Sequence, residues 1–250
     1  MKKQNIRIMI AYDGTGYLGW QKTKMGPSIE EALQNVLEQI LQEPISLQAA
    51  SRTDAGVHAQ GQVVNFFTTK AISDSVKFQI SLNSLLPKNI AILHVENAET
   101  SFHPTLDCTG KEYHYAICTG SAQMPHQRLY SWHYPYELDI NAMRQAASFL
   151  IGKQDFSAFC NEKKNECYDS TIREIKEIMI EESSDKRILI KTFGSSFLYK
   201  MVRNIVGTLA YVGRGKIGAM DISEILAKCD RTQAGMTAPA HGLTLFRVYY

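Results

Sequence analysis

Two successive runs of strand, helix and strand signals constrain this chain more than any other feature. The first half reads as a strand at residues 5–13, a helix at 29–41, a strand in which Ile45, Leu47 and Ala49 alternate, a strand through Gln62-Val63-Val64-Asn65-Phe66-Phe67, a helix at 74–84 and a strand at 90–96. The first helix has a marked start, because Ser28-Ile29-Glu30-Glu31 after Pro27 is a capping box. The second half repeats the alternation with a strand at 113–118, a helix at 140–150, strands at 172–180 and 187–193, a long helix at 197–212, a helix at 222–228 capped by Asp221, and a last strand at 243–248. Strands with one apolar face need helices to cover it, so the rhythm predicts an α+β chain of two α/β sandwich domains, 1–103 and 104–250. No sequence repeat accompanies it.

At 250 residues and 44% hydrophobic, the chain can bury a sizeable core. No apolar run approaches the length of a membrane-spanning helix. The basic start Met1-Lys2-Lys3-Gln4-Asn5-Ile6-Arg7 leads straight into a strand, unlike a signal peptide, so a cytoplasmic protein with no membrane partner is expected. Cys108, Cys118, Cys160, Cys167 and Cys229 form no C-x-x-C pair and read as reduced thiols. The histidines are scattered, so no metal site is expected. Net charge is only +2, but its distribution is uneven: residues 186–220 carry seven basic side chains and no acid, whereas 162–185 carry eight acids against four bases. Such a stretch is either a solvated face or a wall for phosphates, the main sequence-independent handle on nucleic acid.

Chemistry concentrates in Ser51-Arg52-Thr53-Asp54-Ala55-Gly56-Val57-His58-Ala59, which sets one carboxylate in a turn of small residues between two strands. Taken alone, an acid there caps its own turn through a backbone N–H two residues on. The whole segment, however, resembles the signature around the catalytic aspartate of the TruA-type tRNA pseudouridine synthases, with Asp54 as that aspartate. The likeness continues in order through the chain: Ile8-Met9-Ile10-Ala11-Tyr12-Asp13-Gly14-Thr15-Gly16-Tyr17-Leu18-Gly19-Trp20-Gln21; Lys111-Glu112-Tyr113-His114-Tyr115; Asp155-Phe156-Ser157-Ala158-Phe159; Phe197-Leu198-Tyr199-Lys200-Met201-Val202-Arg203-Asn204-Ile205-Val206-Gly207; and Ala238-Pro239-Ala240-His241-Gly242-Leu243-Thr244-Leu245. One departure is Thr105, where relatives more often have Arg. The resemblance implies ferredoxin-like domains with a shared, mostly antiparallel sheet and a central basic cleft holding the aspartate. It also implies a homodimer that isomerises uridines at positions 38, 39 and 40 of the tRNA anticodon stem-loop.

That reaction breaks the N1–C1′ bond, turns the uracil and rejoins it through C5, with no redox change or hydrolysis, so no cofactor is expected. A carboxylate can attack C1′, add to C6, or take the C2′ proton, and the residues leave all three routes open. Each needs Asp54 ionised, a state that an adjacent cation favours. Arg203 is the candidate cation by resemblance. On its helix, Lys200, Arg203, Asn204, Gly207, Thr208 and Tyr211 form a polar stripe opposite Phe197, Leu198, Met201, Val202, Ile205, Val206 and Leu209; a solvated face is the plain alternative. Tyr113 and Tyr115 alternate with Ile117 on one strand face, where core packing is the default and is kept for Tyr115. The resemblance places Tyr113, at the edge of its strand, in the active site. There its ring can stack on uracil and its hydroxyl can assist loss of the C5 proton. Arg52 either fills the gap left by an extruded uridine, holds a phosphate, or pairs with Asp54 or a helix carbonyl. Leu243 and Leu245 either wall the base pocket or are buried as ordinary strand residues.

Two other motifs lead elsewhere. Gly14-Thr15-Gly16-Tyr17-Leu18-Gly19 has the spacing of a dinucleotide fingerprint, but its last glycine does not open a helix. Gly213-Arg214-Gly215-Lys216-Ile217 lacks the glycine spacing and the Ser/Thr of a phosphate loop. Neither is a nucleotide site. The partner expected is tRNA. The rival readings are a non-catalytic RNA-binding module and a glycoside hydrolase, which normally needs a second acid that no residue here supplies.

Overall fold

A computed structural model describes residues 3–162 and 168–250, so Cys167 and part of the acid-rich stretch lie outside the described residues. The elements run β1 Gln4–Tyr12, α1 Ile29–Leu41, β2 Leu47–Ala49, β3 His58–Thr68, α2 Ser75–Leu85, β4 Ile90–Ala98, β5 Gly110–Cys118, β6 Trp132–His133, α3 Ile140–Ser148, β7 Gly152–Asp155, β8 Ile172–Ser183, β9 Arg187–Gly194, α4 Met201–Gly213, α5 Asp221–Lys228 and β10 Leu243–Tyr249. The chain is mixed α+β throughout. It divides into two compact units, Met1–Thr109 with Thr244–Tyr250, and Gly110–Leu243.

In the first unit β1 lies between β4 and β3, antiparallel to both. The other edge of β3 is shared: β2 pairs antiparallel with Val64, Asn65 and Phe66, and β10 pairs parallel with His58 and Ala59 through Thr244 and Leu245. The last strand, read from sequence as part of the second half, thus adds its pairing to the first unit's sheet. Ile6, Ile8, Ile10 and Tyr12 alternate into the core, where Ile29, Leu33, Val36, Leu37 and Leu41 of α1 meet them. Ser28 caps α1 by accepting from Glu31 N–H (3.3 Å), and Asp74 caps α2 through Lys77 N–H (2.9 Å).

In the second unit β9 runs antiparallel between β5 and β8, β7 extends the sheet beyond β8, and β6 pairs parallel with β5. Neither β6 nor β7 stands out in the sequence, since two- and four-residue strands show no period. The core holds Tyr115, Ile117, Ile190, Met143, Phe156, Phe159, Ile205 and Leu209, all buried. Two sequence boundaries move. The long helix starts at Met201, not at Phe197, because Lys200 before it adopts a left-handed backbone (φ 59°). Asp221 is the first residue of α5 and not its cap; its carboxylate accepts from Gly218 N–H (2.9 Å) in the turn before.

Candidate functional site

Asp54 and Arg203 lie in different compact units. In the first unit, the Asp54 turn is built by main-chain contacts. Val57 N–H donates to Asp54 C=O (3.1 Å), and Gly56 takes the left-handed conformation that the turn needs (φ 77°). The residue before Asp54 is fixed twice: Trp20 N–H donates to Thr53 C=O (3.0 Å), and the Thr53 hydroxyl shares a buried bond with Tyr12 Oη (2.8 Å). Farther back, the amide of fully buried Gln62 donates to Ser51 C=O (2.5 Å) and accepts from Ser51 N–H (3.2 Å). The glycines of the apparent dinucleotide fingerprint have their use here. A Cβ on Gly19 would stand 2.5 Å from Thr53 O, and one on Gly14 would stand 2.1 Å from Val57 O, so only glycine lets this loop lie against the turn. Gly14 N–H also donates to Nδ1 of buried His58 (3.0 Å), and Asp13 Oδ1 lies 3.1 Å from the same nitrogen.

The turn leaves Arg52 exposed and Asp54 half-buried. Leu245, opposite Ala59 in the β3–β10 register, is fully buried, as an ordinary strand residue is. Thr105 donates its hydroxyl to Ala49 C=O (2.9 Å), tying down the strand that leads into the turn.

In the second unit, Arg203 is half-buried in the first turn of α4. Its Nε donates to Ala238 C=O (2.8 Å), and its own C=O accepts from Ala238 N–H (3.1 Å). The rest of the polar stripe is not a solvated face. Asn204 and Thr208 are fully buried, and the stripe docks residues 235–238 in antiparallel order. The Asn204 amide uses every position it has: Nδ2 donates to Phe159 C=O (2.7 Å) and Asn161 Oδ1 (2.8 Å), while Oδ1 accepts from the Thr237 hydroxyl (2.7 Å) and Arg231 (2.9 Å). Thr208 accepts from Gly235 N–H (2.9 Å), and a Cβ on Gly207 would fall 1.7 Å from Met236 O. Three segments that read as separate motifs therefore meet around one asparagine. Sequence reasoning missed Asn204 as their organiser, and missed Gln62, because nothing in a lone buried amide announces its partners.

Tyr113 sits in the body of β5, opposite Thr192, buried, with its ring edge-on to Phe197 at 5.2 Å. The strand begins three residues earlier than expected, so Tyr113 is not at its edge. Tyr115 is the core residue it was read to be: its hydroxyl donates to Pro239 C=O (2.7 Å), and burial raises its pKa, against the pull of the Arg203 charge. The hydroxyl therefore stays protonated and fixes the same segment that Arg203 holds. The basic run is partly spent within its own hairpin, where Lys191 pairs with Glu181 and Arg187 with Asp185 (2.5 Å each). Among the described residues no group of three or more His, Cys, Asp or Glu could hold a metal ion, and no helix is long and apolar enough to cross a membrane.

A family described as tRNA pseudouridine synthase matches residues 8–106 and 146–250 of the chain. The chain is 59% identical over 247 residues to tRNA pseudouridine synthase A 2 of Protochlamydia amoebophila, covering 99% of this chain and 94% of that protein. It is 44% identical over 247 residues to tRNA pseudouridine synthase A of a Thermoanaerobacter species, covering 99% and 100%.

Proposed function

Because this chain belongs to the tRNA pseudouridine synthase family, and so is a tRNA-modifying isomerase, we propose that its targets are uridines 38, 39 and 40 of the anticodon stem-loop and that Asp54 is its catalytic carboxylate. The observation that carries the reading is the construction of the Asp54 turn: the residues around one half-buried aspartate are pinned by buried or main-chain bonds. Pre-set geometry of this kind is what a group reacting at one atom of a base or sugar requires.

Arg203 serves as the cationic partner of the Asp54 carboxylate. Asp54 initiates cleavage of N1–C1′, the uracil turns, and a C5–C1′ bond forms. The C5 proton then leaves, with the Tyr113 hydroxyl assisting, and N1 takes a proton, so atoms balance without a co-reactant. Arg52, exposed two residues before Asp54, holds the phosphate of the extruded nucleotide or fills its place in the stack. Leu245 lies behind the base as part of the strand floor. The enzyme works in the cytoplasm as an isologous homodimer, whose two subunits together grip a tRNA too long for one.

Asp54→Asn keeps the shape of the side chain and removes its charge. The variant should fold and bind tRNA, while release of tritium from C5-labelled tRNA falls at least about a hundredfold, the scale for a lost charged catalytic group. Turnover above that level rejects Asp54. Wild-type protein that binds tRNA and releases no tritium favours the non-catalytic RNA-binding module.

A further inference from the structure

The turn that ends α4, set aside as a phosphate loop, lies beside a ladder of aromatic rings. Trp132 and Tyr134 are 4.3 Å apart between centroids, and Tyr134 and Tyr136 are 4.8 Å apart. The ladder climbs from buried Trp132 and Tyr134 to exposed Tyr136, whose ring carries the Arg214 guanidinium at 3.6 Å. Two residues on, the Lys216 ammonium stands 4.7 Å over Tyr211. Gly215 between the two cations has a left-handed backbone (φ 68°), and nothing lies within 4 Å of where its Cβ would be. The Tyr134 hydroxyl is buried and makes no hydrogen bond of ordinary geometry, although the Arg214 side chain lies beside it. Of the acids that follow Tyr136, Asp139 is engaged in capping α3 through Ala142 N–H (3.0 Å), which leaves Glu137 as the neighbouring carboxylate.

We propose that Tyr136, Arg214 and Lys216 form a second RNA-binding surface, which takes phosphates of the substrate tRNA strand away from the uridine being isomerised. The inference rests on the tRNA reading above. Two cations held over aromatic faces, with open backbone between them, suit a phosphate and its sugar; the ring of Tyr136 offers a flat partner to a neighbouring base. The surface stands apart from Arg203. Eleven residues of helix separate Arg203 from Arg214, about 16 Å at 1.5 Å each, so the phosphates it meets lie several base steps from the reacting one. Binding there anchors the stem without touching the reacting base.

The double variant Arg214→Gln/Lys216→Gln tests this, with Lys77→Gln/Lys88→Gln as an equal loss of charge on surface residues elsewhere. Each phosphate contact contributes about one unit to the slope of log affinity against log salt. The double variant should therefore show a slope shallower by about two, a KM for tRNA several-fold higher, and an unchanged kcat. The control should match wild type. An unchanged slope in the double variant, or the same change in the control, overturns the proposal. If wild-type protein forms no pseudouridine in tRNA, the underlying reading fails instead, and that result is separate from any effect of the variants.

Discussion

The carboxylate and the cation proposed for one reaction are held by opposite means. Around Asp54 the fixing contacts fall chiefly on main-chain groups, Val57 N–H on Asp54 C=O, Trp20 N–H on Thr53 C=O and the Gln62 amide on both main-chain groups of Ser51, with two glycines allowing a loop to lie on the turn. Around Arg203 the fixing contacts are side chains: a buried asparagine, an arginine and two threonines lace a helix to a distant segment. A site made of backbone is disturbed by added volume, whereas one made of polar side chains is disturbed by removed partners. The two regions should therefore fail differently when altered.

The largest effect is expected at the cation itself. Arg203→Met should lower kcat at least about a hundredfold, close to 3 kcal/mol of transition-state stabilisation; near-normal turnover would uncouple Arg203 from the chemistry. Next comes its support. Asn204→Ala removes four hydrogen bonds and takes the buried amide donor from Phe159 C=O, although Arg231 keeps Gly235 C=O and the Thr237 hydroxyl, for a loss of about 2–3 kcal/mol of stability seen as a lower urea midpoint, with kcat per folded molecule little changed. A large loss of kcat at unchanged stability would show that the network acts on the reaction directly.

The backbone-held region should show the reverse. Gly19→Ala places a Cβ 2.5 Å from Thr53 O at a residue with φ 98°, at a strain cost of about 1–2 kcal/mol. Because the clash falls on the residue before Asp54, kcat should drop about tenfold while tRNA affinity holds. Equal losses in both units' variants would erase the distinction. The smallest effect is at Glu43, whose carboxylate accepts from the hydroxyls of Thr68 and Thr69 and from Thr69 N–H. These bonds, that to Thr68 foremost, hold its pKa below the ordinary 4.5. A depressed carboxyl adds stability above its unfolded value and loses it as pH falls through the folded one. Glu43→Gln should thus be slightly less stable than wild type at neutral pH, with the gap closing as the pH falls below the ordinary 4.5. Thermal unfolding at several pH values reads it.

How much of this was legible beforehand follows the same division. The helix at Ile29–Leu41 was read to the residue, because capping signal and apolar period coincide there. The start of α4 was not, because the apolar pattern runs on through Phe197 and Leu198 while the left-handed Lys200 carries no mark in the sequence. Asp54 and Arg203 were named through motif resemblance, not through periodicity. The stripe on α4 was visible as polar, but whether polar means wet or buried depends on a segment about thirty residues away. Gly14 and Gly19 have the spacing of a dinucleotide fingerprint, which the missing helix start rules out; their actual use was not legible, since a close approach to a phosphate and a close approach to another turn require the same missing Cβ.

The pairing of Thr244 and Leu245 with His58 and Ala59 has a consequence for how the protein is made. A ribosome delivers the Asp54 turn early and those two partners almost two hundred residues later. At roughly 5–20 residues per second, the strand directly after the turn spends ten seconds or more without one neighbour. A nascent chain, or one cut short before Thr244, thus carries every reacting group discussed above and still lacks a brace beside its carboxylate.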